Sequence, residues 1–115
     1  MMPIPLQITF KNMDPSEAVE TKIRQRTEKL GRHAGRVTGC HVVVEAPHKS
    51  HQKGRLFQVR IDLAIPGEEI VVNREHSSDP AHEDVYVAVR DAFDAAQRQL
   101  ESHEDRRRDL HRRPS

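Results

Sequence analysis

Between Phe57 and Ile65 the chain alternates without a break. Phe57, Val59, Ile61, Leu63 and Ile65 are apolar, and Gln58, Arg60, Asp62 and Ala64 stand between them. Successive side chains of an extended strand point to opposite faces, so this period of two describes a strand with one dry face and one wet face. A strand of that kind needs a sheet covered on one side. Other segments carry the same signature. Leu6, Ile8 and Phe10 alternate with Gln7, Thr9 and Lys11, and Val37 to Glu45 is β-branched and apolar, with Cys40, Val42 and Val44 on one face. Pro66-Gly67 marks a turn, after which Glu69 to Arg74 gives a short fourth strand. Ala46 to Gly54 is polar, contains Pro47 and Gly54, and reads as a mobile hairpin loop.

Two segments have the helical period instead. After Asp14-Pro15-Ser16-Glu17, in which Asp14 is the expected cap and Pro15 the first helical residue, Val19, Ile23, Thr27, Leu30 and Ala34 fall on one stripe. Gly31 and Gly35 weaken the end of this helix, and Gly35 is the expected stop. Ser77-Ser78-Asp79-Pro80 starts a second helix, expected from Pro80 to about Arg107, with Val85, Val89, Ala92, Phe93, Ala96 and Leu100 as its apolar stripe. The order is β-α-β-β-β-α. A four-stranded sheet with two helices packed on one face, an α+β fold, buries every apolar face at once. The other sheet face then shows Gln7, Thr9, His41, Gln58, Arg60 and Asp62 to water. The expected organisation is one domain over residues 1–105 and a basic flexible tail over 106–115, with no repeat and no linker.

Composition narrows the function. A chain of 115 residues fits one domain, and 35% apolar against 32% charged residues leaves a modest core. One cysteine, Cys40, cannot form an internal disulfide. Met1 to Phe10 lacks the charged start and long apolar stretch of a signal peptide, and no apolar run approaches spanning length. The expectation is a soluble cytoplasmic protein with no membrane partner. Charge is split along the chain: residues 1–60 hold 11 Lys/Arg and 5 Asp/Glu, whereas residues 61–115 hold 8 and 13. The split suggests one face that seeks a polyanion, and the alternative is a solvated surface with random clustering of charge.

Catalytic constellations are missing. No Gly-rich phosphate loop and no nucleophile elbow occurs, and Cys40 reads as a small core residue. His48 and His51 share a loop but lack the further ligands of a metal site. Glu83, Asp84, Asp91 and Asp94 read as a solvated acidic face, with no pocket to shift a carboxyl pKa. The chain is therefore read as a non-enzyme with no cofactor, metal or small-molecule substrate. A sharper feature lies on the first helix, where Lys22, Arg26, Lys29 and His33 are spaced by four, three and four. They fall within a narrow arc that borders the apolar stripe, and Arg36 continues the row. A row of cations on a rigid helix suits RNA phosphates, which it binds by releasing counterions. The alternative is a solvated helix face laced with Glu20 and Glu28. Aromatics at 3% argue against an RRM-type stacking platform.

In order along the chain, several stretches resemble one family. These are Ser16-Glu17-Ala18-Val19 with Arg26, Lys29 and Leu30; Arg36-Val37 with Val42-Val43-Val44-Glu45; and Asp84-Val85-Tyr86-Val87-Ala88-Val89 with Arg98-Gln99-Leu100 and His103. They are similar to the ribosome hibernation promoting factors and ribosome-associated inhibitors, once labelled sigma-factor modulation proteins. The resemblance covers about residues 5 to 105. It implies binding to the small ribosomal subunit in the decoding channel, against ribosomal RNA, in a way that blocks initiation and keeps ribosomes inactive under stress. Arg26, Lys29, Arg36 and Arg98 are the positions that match the family's RNA contacts, and Lys22 and His33 join them by geometry. Two departures follow. The family's second helix is usually basic near Arg-Gln-Leu, whereas here Asp94, Ala95, Glu101, Ser102 and Glu104 occupy much of that region, which should lower affinity. The basic run from Arg106 to Arg113 could compensate, as could Lys49 and Lys53 in the loop. The chain also resembles the family's short form, without the dimerisation domain by which long forms pair ribosomes.

Two other functions compete. A generic double-stranded RNA-binding domain shares the α-β-β-β-α core, but such domains start their last helix with lysines, and here the start is acidic. A regulatory protein-interaction module could instead act through the acidic second helix.

Overall fold

The computed structural model describes residues 4–33, 37–47, 56–73 and 84–112; of residues 33 and 107–112 only the backbone is described. Its elements are β1 (Leu6–Lys11), α1 (Glu17–His33), β2 (Gly39–Glu45), β3 (Gln58–Ile65), β4 (Glu68–Asn73) and α2 (Val85–Arg112). The architecture is the α+β arrangement expected: one four-stranded sheet in the order β1-β2-β3-β4, with both helices on one face. β1 runs parallel to β2, and the other two pairs are antiparallel. The register sets Ile8 beside Val42, Val42 beside Ile61, and Ile61 beside Val72. A one-residue slip would turn this apolar row into water, so the alternation itself fixes the pairing.

The core lies between the sheet and the helices. Its largest fully buried side chains are Phe93, Ile23, Ile61, Leu63, Val42, Val44, Val59 and Val89. Five of these eight come from the two central strands. Each such side chain contributes about 1.5–3 kcal/mol by leaving water. α1 packs on β1 and α2, while α2 packs on β3 and β4. The opposite sheet face is wet. There the Thr9 hydroxyl and His41 Nε2 are 3.0 Å apart, and Arg60 Nε donates to Asp62 at 3.1 Å.

The strands begin and end within a residue or two of their expected bounds, and the helix starts differ more. Ser16, not Asp14, caps α1: its hydroxyl accepts from the Val19 N–H at 3.3 Å, and its carbonyl accepts from Glu20 at 3.0 Å. Pro15 therefore precedes the cap instead of occupying the first helical position. α1 passes through Gly31, where an added Cβ would come within 2.8 Å of Ile4 Cδ1, so the glycine lets β1's approach lie against the helix. Its expected stop, Gly35, lies outside the described residues, as do the hairpin loop's histidines and lysines. α2 is capped by Asp84, whose carboxylate accepts from the Tyr86 N–H at 2.8 Å and whose carbonyl accepts from Ala88 at 3.1 Å. The expected start at Ser77 to Pro80 lies outside the described residues. The far end of α2 runs beyond Arg107 to Arg112, so the segment expected to be a flexible tail is helical backbone through residue 112. In the β3–β4 turn, Gly67 holds φ at 77°, a conformation that only glycine takes without strain. No helix among the described residues is long and apolar enough to cross a membrane.

Candidate nucleic-acid interface

Helical spacing brings Lys22, Arg26 and Lys29 onto adjacent turns of one α1 face, as the four- and three-residue intervals require. Lys22 and Lys29 are exposed and have no acidic partner among the described residues. Arg26 is different, with its side chain only 18% exposed. Its guanidinium donates to the Asp94 carboxylate and, at 3.4 Å, to the Arg90 carbonyl, both on α2. The residue lies at the edge of the apolar stripe, beside buried Ile23 and Thr27, and therefore closes the seam between the helices. Thr27 is satisfied within α1, donating to the Ile23 carbonyl at 2.8 Å.

This pair changes the electrostatics of the row. Asp94 neutralises Arg26 in place, so on this face the positive charge offered to a polyanion comes from the lysines on either side. Elsewhere on α1, Arg24 pairs with Glu20 at 3.6 Å, one turn back. Three of the acidic residues at and near the start of α2 also have partners. Asp84 caps the helix, Asp94 holds Arg26, and Asp91 accepts from Arg90 at 3.2 and 3.3 Å.

Arg98 stands elsewhere. It is exposed and lines an open groove between α2 and β4, together with Glu68, Gln99, Ser102, His103 and Arg106. Arg98 follows Asp94 by one turn of α2 and borders the groove on the helix's β4 side. At the groove's floor His103 Nε2 lies 2.5 Å from Glu68 Oε2, tying the last buried turn of α2 to the start of β4. Its Nδ1 is buried without a partner. Among the described residues no group of three or more His, Cys, Asp or Glu is arranged to hold a metal ion.

The structure thus brings together Lys22, Arg26 and Lys29, and places Arg98 on α2 one turn beyond Asp94, the partner of Arg26. His33 ends α1, but its side chain is not among those described, and Arg36 lies outside the described residues. Sequence reasoning singled out Tyr86 only as part of the family stretch and passed over Arg90, whose carbonyl meets Arg26 at the seam. Their spacing of four, with Asp94 four further on, is the signal that could have found them.

Residues 6–108 match the family described as Sigma 54 modulation protein / S30EA ribosomal protein. The chain belongs to this family. Similar proteins in the Sigma 54 modulation / S30EA family include a Ribosome hibernation promoting factor of Pseudomonas putida, 26% identical over 105 residues that cover 91% of either chain. Another, from Azotobacter vinelandii, carries the same name and is 28% identical over 101 residues, 88% of this chain and 83% of the relative. Among solved structures, the fold is similar to the Protein Y N-terminal domain of Thermus thermophilus, at a TM-score of 0.60 and 19% identity. It is also similar to a ribosomal subunit interface protein from Coxiella burnetii, at 0.62 and 18%. Each comparison covers 89% of this chain and 99% of the other. The family's Asp-x-Tyr opening has a physical basis here, because Asp84 supplies the cap that starts α2.

Proposed function

We propose that this chain binds the small ribosomal subunit, occupies its decoding channel against ribosomal RNA, and keeps ribosomes inactive under stress. The observation that carries this reading is the near full-length match to relatives named ribosome hibernation promoting factor. The chemistry supports it. Lys22 and Lys29 are exposed, unneutralised cations on a rigid helix, suited to phosphates held at fixed positions. Arg26 links the two helices, and Arg98, His33 and Arg36 are the further RNA-binding positions proposed from the sequence. Inhibition then requires occupancy alone, with no bond made or broken in the ribosome and no cofactor.

The test is competition on purified small subunits. Binding of this chain should displace initiator transfer RNA and slow cell-free translation in proportion to occupancy. Binding to subunits that already hold message and transfer RNA, without displacing either, would contradict the proposed seat. The protein-interaction alternative would act through the acidic side chains of α2, and salt-insensitive binding to a protein with no effect on RNA would favour it. Equal affinity for generic duplex RNA would favour the double-stranded RNA reading instead.

A further inference from the structure

We propose that Tyr86 is a stacking seat for one unpaired RNA base, placed beside the cations of the α1–α2 seam. The inference rests on the ribosomal RNA reading above and names a contact within it. The chain has four aromatic residues, three Phe and one Tyr. Phe93 is buried, and Phe10 and Phe57 pack against the core. Tyr86, 42% exposed, is the one aromatic ring set well out into solvent among the described residues.

Exposure alone would mean little, since single apolar side chains on a surface are ordinary. Position gives it meaning. Tyr86, Arg90 and Asp94 stand four residues apart and form one row along α2. Arg26 of α1 reaches the Arg90 carbonyl and the Asp94 carboxylate, so this row runs beside α1. On α1, Lys22 and Lys29 flank Arg26 by about one turn each way. The ring is therefore on the same side of the molecule as the unneutralised lysines, one turn from the Arg90 guanidinium. It is also held at a defined place, because the Asp84 cap fixes the Tyr86 backbone N–H at 2.8 Å. The other large exposed apolar residue, Val71, sits on the far edge strand, away from these cations.

A flat π-surface next to phosphate-binding cations is what a single splayed nucleotide requires: the backbone is held by charge and the base by stacking. Such a contact tolerates any base. It also resolves how a chain too poor in aromatics for a multi-base platform can still hold an unpaired nucleotide.

The test measures affinity for small ribosomal subunits over a salt series for the wild type, Tyr86→Ala, Tyr86→Phe and the double variant Lys22→Glu/Lys29→Glu. Loss of the ring should weaken binding by about 5- to 150-fold, the range of one base–aromatic stack. Phenylalanine should restore it to within about threefold, because stacking needs the ring and not the hydroxyl. The salt slope of Tyr86→Ala should match wild type, since no cation is lost, whereas the double variant should flatten it. Wild-type affinity in Tyr86→Ala, with binding lost in the double variant, overturns the stacking seat and leaves the ribosomal reading intact. Failure of the wild type to bind overturns both. As a check that needs no variant, tetranitromethane nitrates exposed tyrosine, and this chain has one. Tyr86 should be protected in the complex, and undiminished nitration there would overturn the proposal.

Discussion

Arg26 shows how one side chain can be matched by position to an RNA contact and yet be held inside the protein. Its guanidinium meets Asp94 and the Arg90 carbonyl, and because Asp94 is about half exposed the pair stabilises the fold by at most about 1 kcal/mol. Its larger effect is on charge. Asp94→Asn should release Arg26 toward phosphate, raise affinity for small subunits and steepen the salt dependence by up to about 0.9 in slope. An unchanged slope would mean that Arg26 stays in the seam regardless. Cys40 offers a second residue-scale prediction. Burial pushes its thiol from 9.0 up to about 11, with the nearby Asp62 charge adding to the rise and a hydrogen bond with Thr27 opposing it. The folded state then binds a proton more tightly than the unfolded state, so this contribution is intact below pH 9 and is lost as pH rises from 9 to about 11. The loss amounts to about 2–3 kcal/mol. Denaturation curves at pH 8 and 11 should show it in the wild type, and Cys40→Ala should remove that part of the dependence. The native thiol should also resist alkylation at pH 8 and react once the chain is unfolded.

At the scale of elements, the six segments were legible because each has a single clean period. Phe57 to Ile65 alternates, and Ile23, Leu30, Val89 and Phe93 recur at helical spacing, all four buried. Helix starts were less legible. Asp14-Pro15-Ser16-Glu17 holds two capping side chains two residues apart, and Ser16 is the one whose hydroxyl accepts from the helix. At α2 the sequence offers Ser77 to Pro80 as a start, which lies outside the described residues, and the described helix begins on an Asp84 cap that carries no distinctive local signal. Asp84→Ala should cost about 1 kcal/mol in denaturant unfolding, near the usual value for a lost cap. The site was only half legible, because the Arg26–Asp94 pair joins positions 68 residues apart and no local pattern announces it. The resemblance groups Arg98 with the α1 row, and the fold adds that Arg98 also borders the groove between α2 and β4. α2 spans about 42 Å at 1.5 Å per residue, and among the described side chains its last buried one is Leu100. Truncation after Asp105 should therefore leave the melting temperature within a few degrees of wild type. It should weaken RNA binding by removing the arginines of residues 106–113, and unchanged binding would dismiss any role for that segment.

For the whole molecule, the excess of positive charge in residues 1–60 and of negative charge in 61–115 is less a division into two poles than it looks in the sequence. Asp94 of the acidic half neutralises Arg26 of the basic half across the helical seam, and Lys22 and Lys29 are left facing solvent beside it. Binding through these two lysines should be salt-sensitive and modest, with base stacking and the far end of α2 adding to it. The most direct test is co-sedimentation with bacterial ribosomes on sucrose gradients at low and moderate salt, comparing wild type with Lys22→Glu/Lys29→Glu. The account predicts that wild type travels with the small subunit and the whole ribosome at low salt, is partly released at moderate salt, and that the double variant stays at the top. Wild type remaining at the top at low salt, or the double variant travelling as well as wild type, would contradict it.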